Sequence, residues 1–351
     1  MNLPFSQELA GCAGCPRRCG VNRLAGEKGF CRIGSDLPLV HAGLHFGEEP
    51  PISGNRGSGT IFFAGCNLRC IYCQNHQISQ EFHRHPVLGL TPENLAGEML
   101  RLETLGAHNI NLVSPSHVVF QAADAIVAAR EEGLSVPVVY NSNGYDSVDA
   151  LRRIRGLVEI YLPDIKYSDD ALGRELSGAD DYAGTIPGVL GEMLDQAGPL
   201  TMNGEGIAVR GLLVRHLVLP GYLENSRKCL RLIADLSREI PVSIMSQYAP
   251  RYRAGNHPRI GRGLTEAEYA EITDFALDVG LENAFVQETE SRDHYLPDFD
   301  RIRPFENGCR VVSRGQAGRD TAVRVDRDRQ EDTGIVSHPS GRDAKKQTCK
   351  N

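Results

Sequence analysis

Seven of the ten cysteines lie within the first 73 residues of a 351-residue chain. They form two groups, Cys12, Cys15, Cys19 and Cys31, then Cys66, Cys70 and Cys73. Disulfide frameworks belong to short secreted domains, and this chain is too long for that class. Clustered thiolates in a reducing compartment bind zinc or iron–sulfur instead. Leu9-Ala10-Gly11-Cys12 looks like a lipoprotein cleavage box. An export signal also needs a basic n-region and an apolar stretch, whereas residues 1–11 lack Lys and Arg and are interrupted by Glu8. No run of apolar residues is long enough for a membrane span, so the chain reads as cytoplasmic. Cys229, Cys309 and Cys349 stand alone and read as small buried hydrophobes or surface thiols.

The net charge of −7 argues against a nucleic-acid binder, and 41% apolar residues supply a sizeable core. Residues 1–50 are Gly- and Cys-rich with little periodicity, which predicts a loop-rich segment held by metal. From Ser58 short apolar runs predict strands at 58–64, 109–113, 136–140, 158–162, part of 207–219, 242–245 and 284–286. Helical spacing intervenes. Thr91-Pro92-Glu93 supplies an N-cap, a proline at N1 and an acidic first turn. Leu95, Met99, Leu102 and Leu105 then share one face before Gly106. Further helices fit 118–132, 147–155, 189–196, 226–238 and 265–279. Strands alternating with helices imply α/β architecture with a parallel sheet. Six or seven units suit a partial (β/α)6 TIM-like barrel, and a doubly wound sheet is the alternative. Residues 306–351 are polar, rich in Arg, Asp and Gly, and read as a disordered tail. The expected organisation is a Cys-rich segment 1–50, a barrel 51–305 and the tail. Gly54, Gly57 and Gly59 precede the first strand and lack a following Lys-Ser/Thr, so they read as turn residues rather than a phosphate loop.

Cys66-Asn67-Leu68-Arg69-Cys70-Ile71-Tyr72-Cys73 reads C-x3-C-x2-C and directly follows the first predicted parallel strand. In a β/α barrel that loop lies at the C-terminal mouth, where active sites sit. Three cysteines can hold three irons of a 4Fe–4S cluster, and no fourth follows at ferredoxin spacing. One iron is left for another ligand. A structural zinc site is the alternative, but it prefers four protein ligands.

This arrangement, with Tyr72 before the last cysteine, resembles the radical S-adenosylmethionine (SAM) superfamily. The resemblance implies that SAM chelates the open iron and is reductively cleaved to a 5′-deoxyadenosyl radical, with Tyr72 near the adenine. The chain further resembles the pyruvate formate-lyase activating enzyme-like family with an N-terminal cysteine segment. The matching stretches include CPRRCGVNR (15–23), LHFGEEPPISG (44–54), AHNINLVSPSH (107–117), YLPDIKY (161–167), VRHLVLPG (214–221) and SIMSQYAP (243–250). They run from about residue 12 to about residue 300 and exclude the tail.

The resemblance implies roles only where motifs match. A Gly-Gly-Glu element that binds the SAM amino group in activating enzymes is replaced here by Ser114-Pro115-Ser116-His117. Ser114, Ser116 or a backbone carbonyl takes its place, and His117, at a strand end, is a further candidate for SAM contact. Asn141-Ser142-Asn143-Gly144 resembles an Asp-Thr-Asn-Gly element and makes Asn141 and Asn143 candidates for SAM contact. Asp164-Ile165-Lys166 matches an Asp-Leu-Lys element, with Asp164 facing a cation or ribose and Lys166 the SAM carboxylate or ribose. Arg215 and His216 adjoin on one strand, so at most one points inward. His216 is either a SAM donor or a satisfied core histidine. Gln247 and Tyr248 are weaker substrate-side candidates, and His76, His83 and His85 read as solvated loop residues.

Cys12, Cys15, Cys19 and Cys31 supply four thiolates for either zinc or a second 4Fe–4S cluster, with Arg17, Arg18 and Arg23 available to offset charge. The implied function is hydrogen abstraction from a glycine of a partner glycyl-radical enzyme. The implied electron donor is of flavodoxin or ferredoxin type. The alternatives are a radical SAM reaction on another protein or a small molecule, and a non-catalytic iron–sulfur or zinc protein.

Overall fold

The computed structural model describes residues 3–287, 297–301 and 304–305. The tail expected at 306–351 lies outside the described residues. Eleven strands and nine α-helices are found among those described. In chain order they are β1 (Leu37–His45), α1 (Pro50–Ser53), β2 (Ser58–Phe63), α2 (His76–Ser79), β3 (Leu88–Leu90), α3 (Pro92–Thr104) and β4 (Ile110–Val113). There follow α4 (Val119–Glu131), β5 (Val138–Asn141), α5 (Val148–Arg153), β6 (Ile160–Tyr161), α6 (Asp170–Ser177) and α7 (Tyr182–Ala197). The chain continues with β7 (Thr201–Met202), β8 (Ala208–Leu212), β9 (Val214–Leu217), α8 (Leu223–Leu236), β10 (Val242–Met245), α9 (Glu266–Asp278) and β11 (Ala284–Val286).

The result is a mixed α/β fold with a parallel-rich sheet. One sheet runs β3-β1-β2-β4-β5-β6-β8-β7 and a second runs β11-β10-β9. From β2 to β8, and again through β9 to β11, neighbours are parallel. The two sheets adjoin where Arg215 N–H donates to Pro163 O at 2.9 Å and Ile165 N–H to Arg215 O at 2.7 Å. The parallel strands follow chain order without the reversal of a doubly wound sheet.

Two expectations are corrected. The loop-rich reading of residues 1–50 misses β1, which pairs antiparallel with β2 and buries Leu37 and Leu39 against Ile61 and Phe63. Its tip is polar and glycine-containing, so the partner strand rather than local pattern makes it a strand. The helix expected at 189–196 begins at Tyr182 and carries Pro187 inside it. The caps of α3 behave as read. Thr91 Oγ1 accepts from Asn94 N–H at 3.3 Å, and Leu95, Met99 and Leu102 are buried under the sheet. Such a cap contributes about 1 kcal/mol.

Side-chain alternation along the parallel strands separates two environments. Ile61, Ile110 and Leu112 pack against α3 and α4. The alternate positions Phe62, Val113, Asn141, Arg215, Leu217, Ser243 and Met245 line an internal cavity instead.

Candidate functional site

The cavity has a volume of about 470 Å³. Its wall includes Cys66, Cys70, Cys73, Tyr72, Ser114, Asn141, Asn143, Asp164 and Lys166. Gly65 turns β2 into the cysteine loop at φ +79°, and a Cβ there would lie 2.7 Å from Cys31 O. Only glycine tolerates both the left-handed backbone and that approach. The end of α6 then braces the loop, since Arg69 N–H donates to Ser177 O at 2.8 Å and Ile71 N–H to Leu176 O at 2.9 Å.

Each of the three sulfurs meets donors. Asn143 Nδ2 and Leu68 N–H each lie 3.4 Å from Cys66 Sγ. Ser177 Oγ lies 2.9 Å from Cys70 Sγ, and Ser79 Oγ 3.2 Å from Cys73 Sγ. Burial, then the neighbouring Cys70, pushes the Cys66 thiol up to about 11. Burial, then Cys70, pushes Cys73 up to about 12. One buried and two half-buried thiols, each pushed up by desolvation and two of them also by neighbouring cysteines, suit a centre that supplies positive charge. Among the described residues, no group of three or more His, Cys, Asp or Glu side chains is arranged to hold a single metal ion. A 4Fe–4S cluster makes no such demand, because each cysteine binds a different iron. The donor set and the open cavity beside it fit a cluster with one iron free.

Tyr72 is tied to the same centre. Its hydroxyl lies 2.7 Å from Tyr167 Oη, which lies 2.5 Å from Ser177 Oγ, the donor to Cys70. Lys166 Nζ donates to Asp164 Oδ2 at 2.6 Å. Burial alone lowers the Lys166 ammonium, but Asp164, Cys70 and Cys73 outweigh it and raise it. Asn143 spends its amide on the loop, donating to Asn67 Oδ1 at 2.8 Å. Gly144 sits at φ +80°, where a Cβ would fall 2.2 Å from Asp164 O. Ser114 adopts φ +53°, a strained backbone for a serine, at the cavity wall.

Ser116 and His117, expected to contact SAM, do not line the cavity, and His216, expected as either a SAM donor or a satisfied core histidine, takes the core position. The His117 ring bridges Ser114 O at 3.1 Å and Ala64 O at 2.9 Å. Burial holds its imidazole down at about 4. His216 Nδ1 meets Ile165 O at 2.7 Å, and burial likewise lowers it to about 4. Strand alternation explains this: Arg215 takes the inward position on β9, so His216 takes the outward one. Ser116 is fully buried. Gln247 and Tyr248 do line the cavity. His76 stacks on Tyr252, and neither His83 nor His85 lines the cavity.

Sequence reasoning missed the charged floor. Glu48 and Glu49, between β1 and α1, reach Arg215. Arg215 Nε donates to Glu49 Oε1 at 2.7 Å, and Arg215 Nη1 to Asn141 Oδ1 at 3.3 Å. Asn111 Nδ2 donates to Glu48 Oε1 at 3.1 Å. Burial opposes the charge on Glu49, yet Arg215 holds its carboxyl below the usual range. The available signal was the acidic pair inside LHFGEEPPISG.

The N-terminal cysteines gather beside the loop. Cys12, Cys15 and Cys31 are buried and Cys19 half-buried. Burial pushes the Cys15 thiol up to about 12, with further contributions from Cys12, Cys31 and Cys19. Arg23, itself buried, donates to Cys31 Sγ at 3.3 Å and to His117 O at 2.9 Å. Phe30 lies between two guanidiniums, Arg17 at 3.8 Å and Arg69 at 4.2 Å from its ring. Arg18 instead lies 3.5 Å from Asp149 at the surface.

Among the described residues no helix is long and apolar enough to cross a membrane. No protein-family model matches the chain. The chain is 30% identical over 278 residues to the uncharacterized protein MJ0674 of Methanocaldococcus jannaschii, covering 77% of this chain and 75% of that one. It is 24% identical over 218 residues to the pyruvate formate-lyase-activating enzyme of Clostridium pasteurianum, covering 58% and 79%. The FeFe-hydrogenase maturase HydG of Carboxydothermus hydrogenoformans is a solved structure with TM-score 0.46 and 13% identity, covering 63% of this chain and 50% of that one. The chain spans about half the length of the solved structures it matches. With its cysteine loop opening on a cavity, the chain belongs to the family of MJ0674 and to the radical SAM superfamily, whose members use a 4Fe–4S cluster and SAM.

Proposed function

We propose that this enzyme abstracts hydrogen from a glycine of a partner protein, as an activating enzyme of a glycyl-radical enzyme. The observation that carries the reading is that Cys66, Cys70 and Cys73 share one cavity wall with Asn141, Asp164 and Lys166. The relative from Clostridium pasteurianum supports the choice of substrate. We take the parallel strands to curve into a partial (β/α)6 barrel around this cavity.

When bound, the cluster and SAM supply reductive cleavage of the sulfonium and, through it, hydrogen-atom abstraction. The protein does the rest. Cys66, Cys70 and Cys73 would hold three irons. Lys166 offers an ammonium to the SAM carboxylate or ribose, and Asp164 holds that ammonium in place. Tyr72 would pack near the adenine, and Asn141 would offer its amide to a ribose hydroxyl or the amino group. Ser114, held at the wall by its N–H bond to Asn141 O, stands where activating enzymes carry Gly-Gly-Glu. Cys12, Cys15, Cys19 and Cys31 hold zinc or a second cluster in the segment ahead of the barrel.

A small polar molecule as substrate is the second reading, and the Glu48–Glu49–Arg215 floor favours it. A charged floor binds polar groups better than the apolar wall of an ordinary ligand pocket. The test starts from anaerobically reconstituted protein, reduced with dithionite and given SAM. Wild type yields 5′-deoxyadenosine and Cys70→Ala yields none. About eight irons rather than four assign the N-terminal cysteines to a second cluster. A stable glycyl radical signal on an added glycyl-radical enzyme supports the first reading. Deoxyadenosine without that signal, across candidate partners, moves the assignment to the second. No SAM cleavage by a protein with a reducible cluster overturns both.

A further inference from the structure

Three hydroxyls line up on one sulfur of the cysteine loop. Ser177 Oγ lies 2.9 Å from Cys70 Sγ, Tyr167 Oη 2.5 Å from Ser177 Oγ, and Tyr72 Oη 2.7 Å from Tyr167 Oη. Tyr72 and Cys70 line the cavity, whereas Tyr167 and Ser177 do not. The chain of hydroxyls thus leaves the cavity wall at Tyr72, passes through the interior and returns to the wall at Cys70. Ser177 is 0% exposed, Tyr167 1%, Tyr72 6% and Cys70 8%, so water does not compete along it. Among the described residues no other side chain hydrogen-bonds these hydroxyls.

Counting hydrogens fixes the direction. A thiolate that binds iron has no proton to give and only accepts. The contact to Cys70 therefore takes the single hydrogen of Ser177. The Ser177 oxygen is left to accept from Tyr167. Tyr167, its own hydrogen spent, accepts from Tyr72. Every O–H in the chain points toward Cys70.

The packing holds this order. Ser177 ends α6, and its carbonyl accepts from Arg69 N–H at 2.8 Å, so loop and hydroxyl are fixed together. The Tyr182 ring meets the Tyr167 ring edge-on at 5.1 Å, and Tyr248 meets Tyr72 at 5.8 Å. In a dry interior such hydrogen bonds polarise one another, and the last donor of a chain is stronger than a lone hydroxyl. The other two sulfurs lack this arrangement. Cys73 meets the hydroxyl of Ser79 at 3.2 Å, and Cys66 meets an amide and a backbone N–H at 3.4 Å.

We infer that Tyr72, Tyr167 and Ser177 form a directional relay that raises the reduction potential of the cluster held by Cys66, Cys70 and Cys73. Ser177 and Tyr167 are positioning residues that act through Cys70. The inference rests on the cluster reading of the loop. Reduction adds one electron, and so one negative charge, to the cluster and its thiolates. A hydrogen bond to a sulfur stabilises the more negative state and makes the electron easier to accept. No bond forms or breaks at the relay, and each proton stays on the oxygen where it starts.

The test is a redox titration of the reconstituted holoenzyme without SAM, with dithionite as the electron source and mediator dyes. The cluster is followed by electron paramagnetic resonance. The signal read is the one that Cys70→Ala loses, which sets aside any cluster on the N-terminal cysteines. Ser177→Ala should make one-electron reduction about tenfold less favourable, a fall of about 59 mV. Tyr167→Phe and Tyr72→Phe each remove one oxygen and keep the ring. They should lower the potential in the same direction by successively smaller amounts. Order of effect marks a relay. Tyr72→Phe should change nothing further once Tyr167→Phe has cut the chain, and neither should change it further in Ser177→Ala. Ser79→Ala, on another sulfur, should add its own effect to that of Ser177→Ala.

Potentials of Ser177→Ala and Tyr167→Phe that match wild type within about twofold in that equilibrium overturn the relay. Tyrosine effects that simply add in the double variant make them independent packing effects and overturn it too. If Ser177→Ala loses its iron, the two tyrosine variants and their double variant decide. Wild type without a Cys70-dependent signal counts against the cluster reading itself, whereas a titrating cluster indifferent to these variants counts against the relay alone.

Discussion

The guanidinium of Arg215 and the carboxylate of Glu49 meet in the cavity floor at 2.7 Å although 166 residues separate them. The contact ties the parallel strand β9 to the turn after β1, so the segment ahead of the first parallel strand closes the bottom of the cavity. Both side chains are almost fully buried. Removing one partner of a buried ion pair strands the other in a low-dielectric site. Arg215→Ala should therefore lower stability by about 3–5 kcal/mol. Urea unfolding measures it, and a loss under about 1 kcal/mol would show that water reaches the floor and solvates the carboxylates.

The Lys166 ammonium lines the cavity with the cysteine sulfurs and favours ionisation of Cys66 and Cys70. A charge-assisted hydrogen bond contributes about 1.5–3 kcal/mol. Lys166→Ala should weaken SAM binding by about 10- to 100-fold in reconstituted enzyme, measured by equilibrium dialysis, while iron content stays at the wild-type level. Equal SAM affinity in the two proteins removes Lys166 from the site.

His117 and His216 are both buried neutral, with folded values of about 4 against an ordinary 6.5. Lys166 and Asp164 face His216, and Arg23 and Arg69 face His117. The unfolded chain binds protons at these rings first. Their contribution is complete above about pH 6.5 and is lost as pH falls toward about 4. His216→Gln, which keeps a donor for Ile165 O, should flatten that part of the stability–pH curve. An unchanged slope between pH 6.5 and 4 counts against a depressed His216.

Glu268 closes the capping box of α9 with Thr265 and also meets Arg262 at 2.7 Å. The Arg262 hydrogen bond, set against some burial, holds its carboxyl down at about 2. Its contribution is present above the unfolded value of about 4.5 and fades as pH falls through about 2. Glu268→Ala should cost about 1 kcal/mol at neutral pH and less at pH 3, by thermal unfolding at each pH.

Gly144→Ala places a methyl 2.2 Å from Asp164 O at a left-handed φ. The conformational cost alone is about 1 kcal/mol, and the clash displaces the carbonyl beside the Asp164–Lys166 pair. The variant should lose both stability and SAM affinity. Loss of stability with wild-type affinity shows that the pair tolerates the shift.

The strands starting near Ser58, Ile110, Val242 and Ala284 were legible because their apolar runs are short and bounded. So was α3, because Thr91 and Pro92 announce it. Each depends on neighbours in sequence. β1 and the true start of α7 were not legible, since β1 owes its existence to β2, and Pro187 reads as a helix breaker although it sits exposed within the early turns of α7. The same division runs through the site. Cys66, Cys70, Cys73, Asp164 and Lys166 stand in compact local motifs. Glu48 and Glu49 acquire meaning only from Arg215, and a one-residue parity on β9 decided between Arg215 and His216.

The clasp of Arg17 on Gly178 O, across 161 residues, bears on how the chain is made. Arg17 also needs Asn67 O, and Arg23 needs His117 O. At roughly 5–20 residues per second, the ribosome emits Cys12–Cys31 many seconds before residue 178 exists to receive them. Cys12–Cys31 thus wait for residues made well after them before their seat is complete, and during that interval four thiols stand open to oxidants and stray metals.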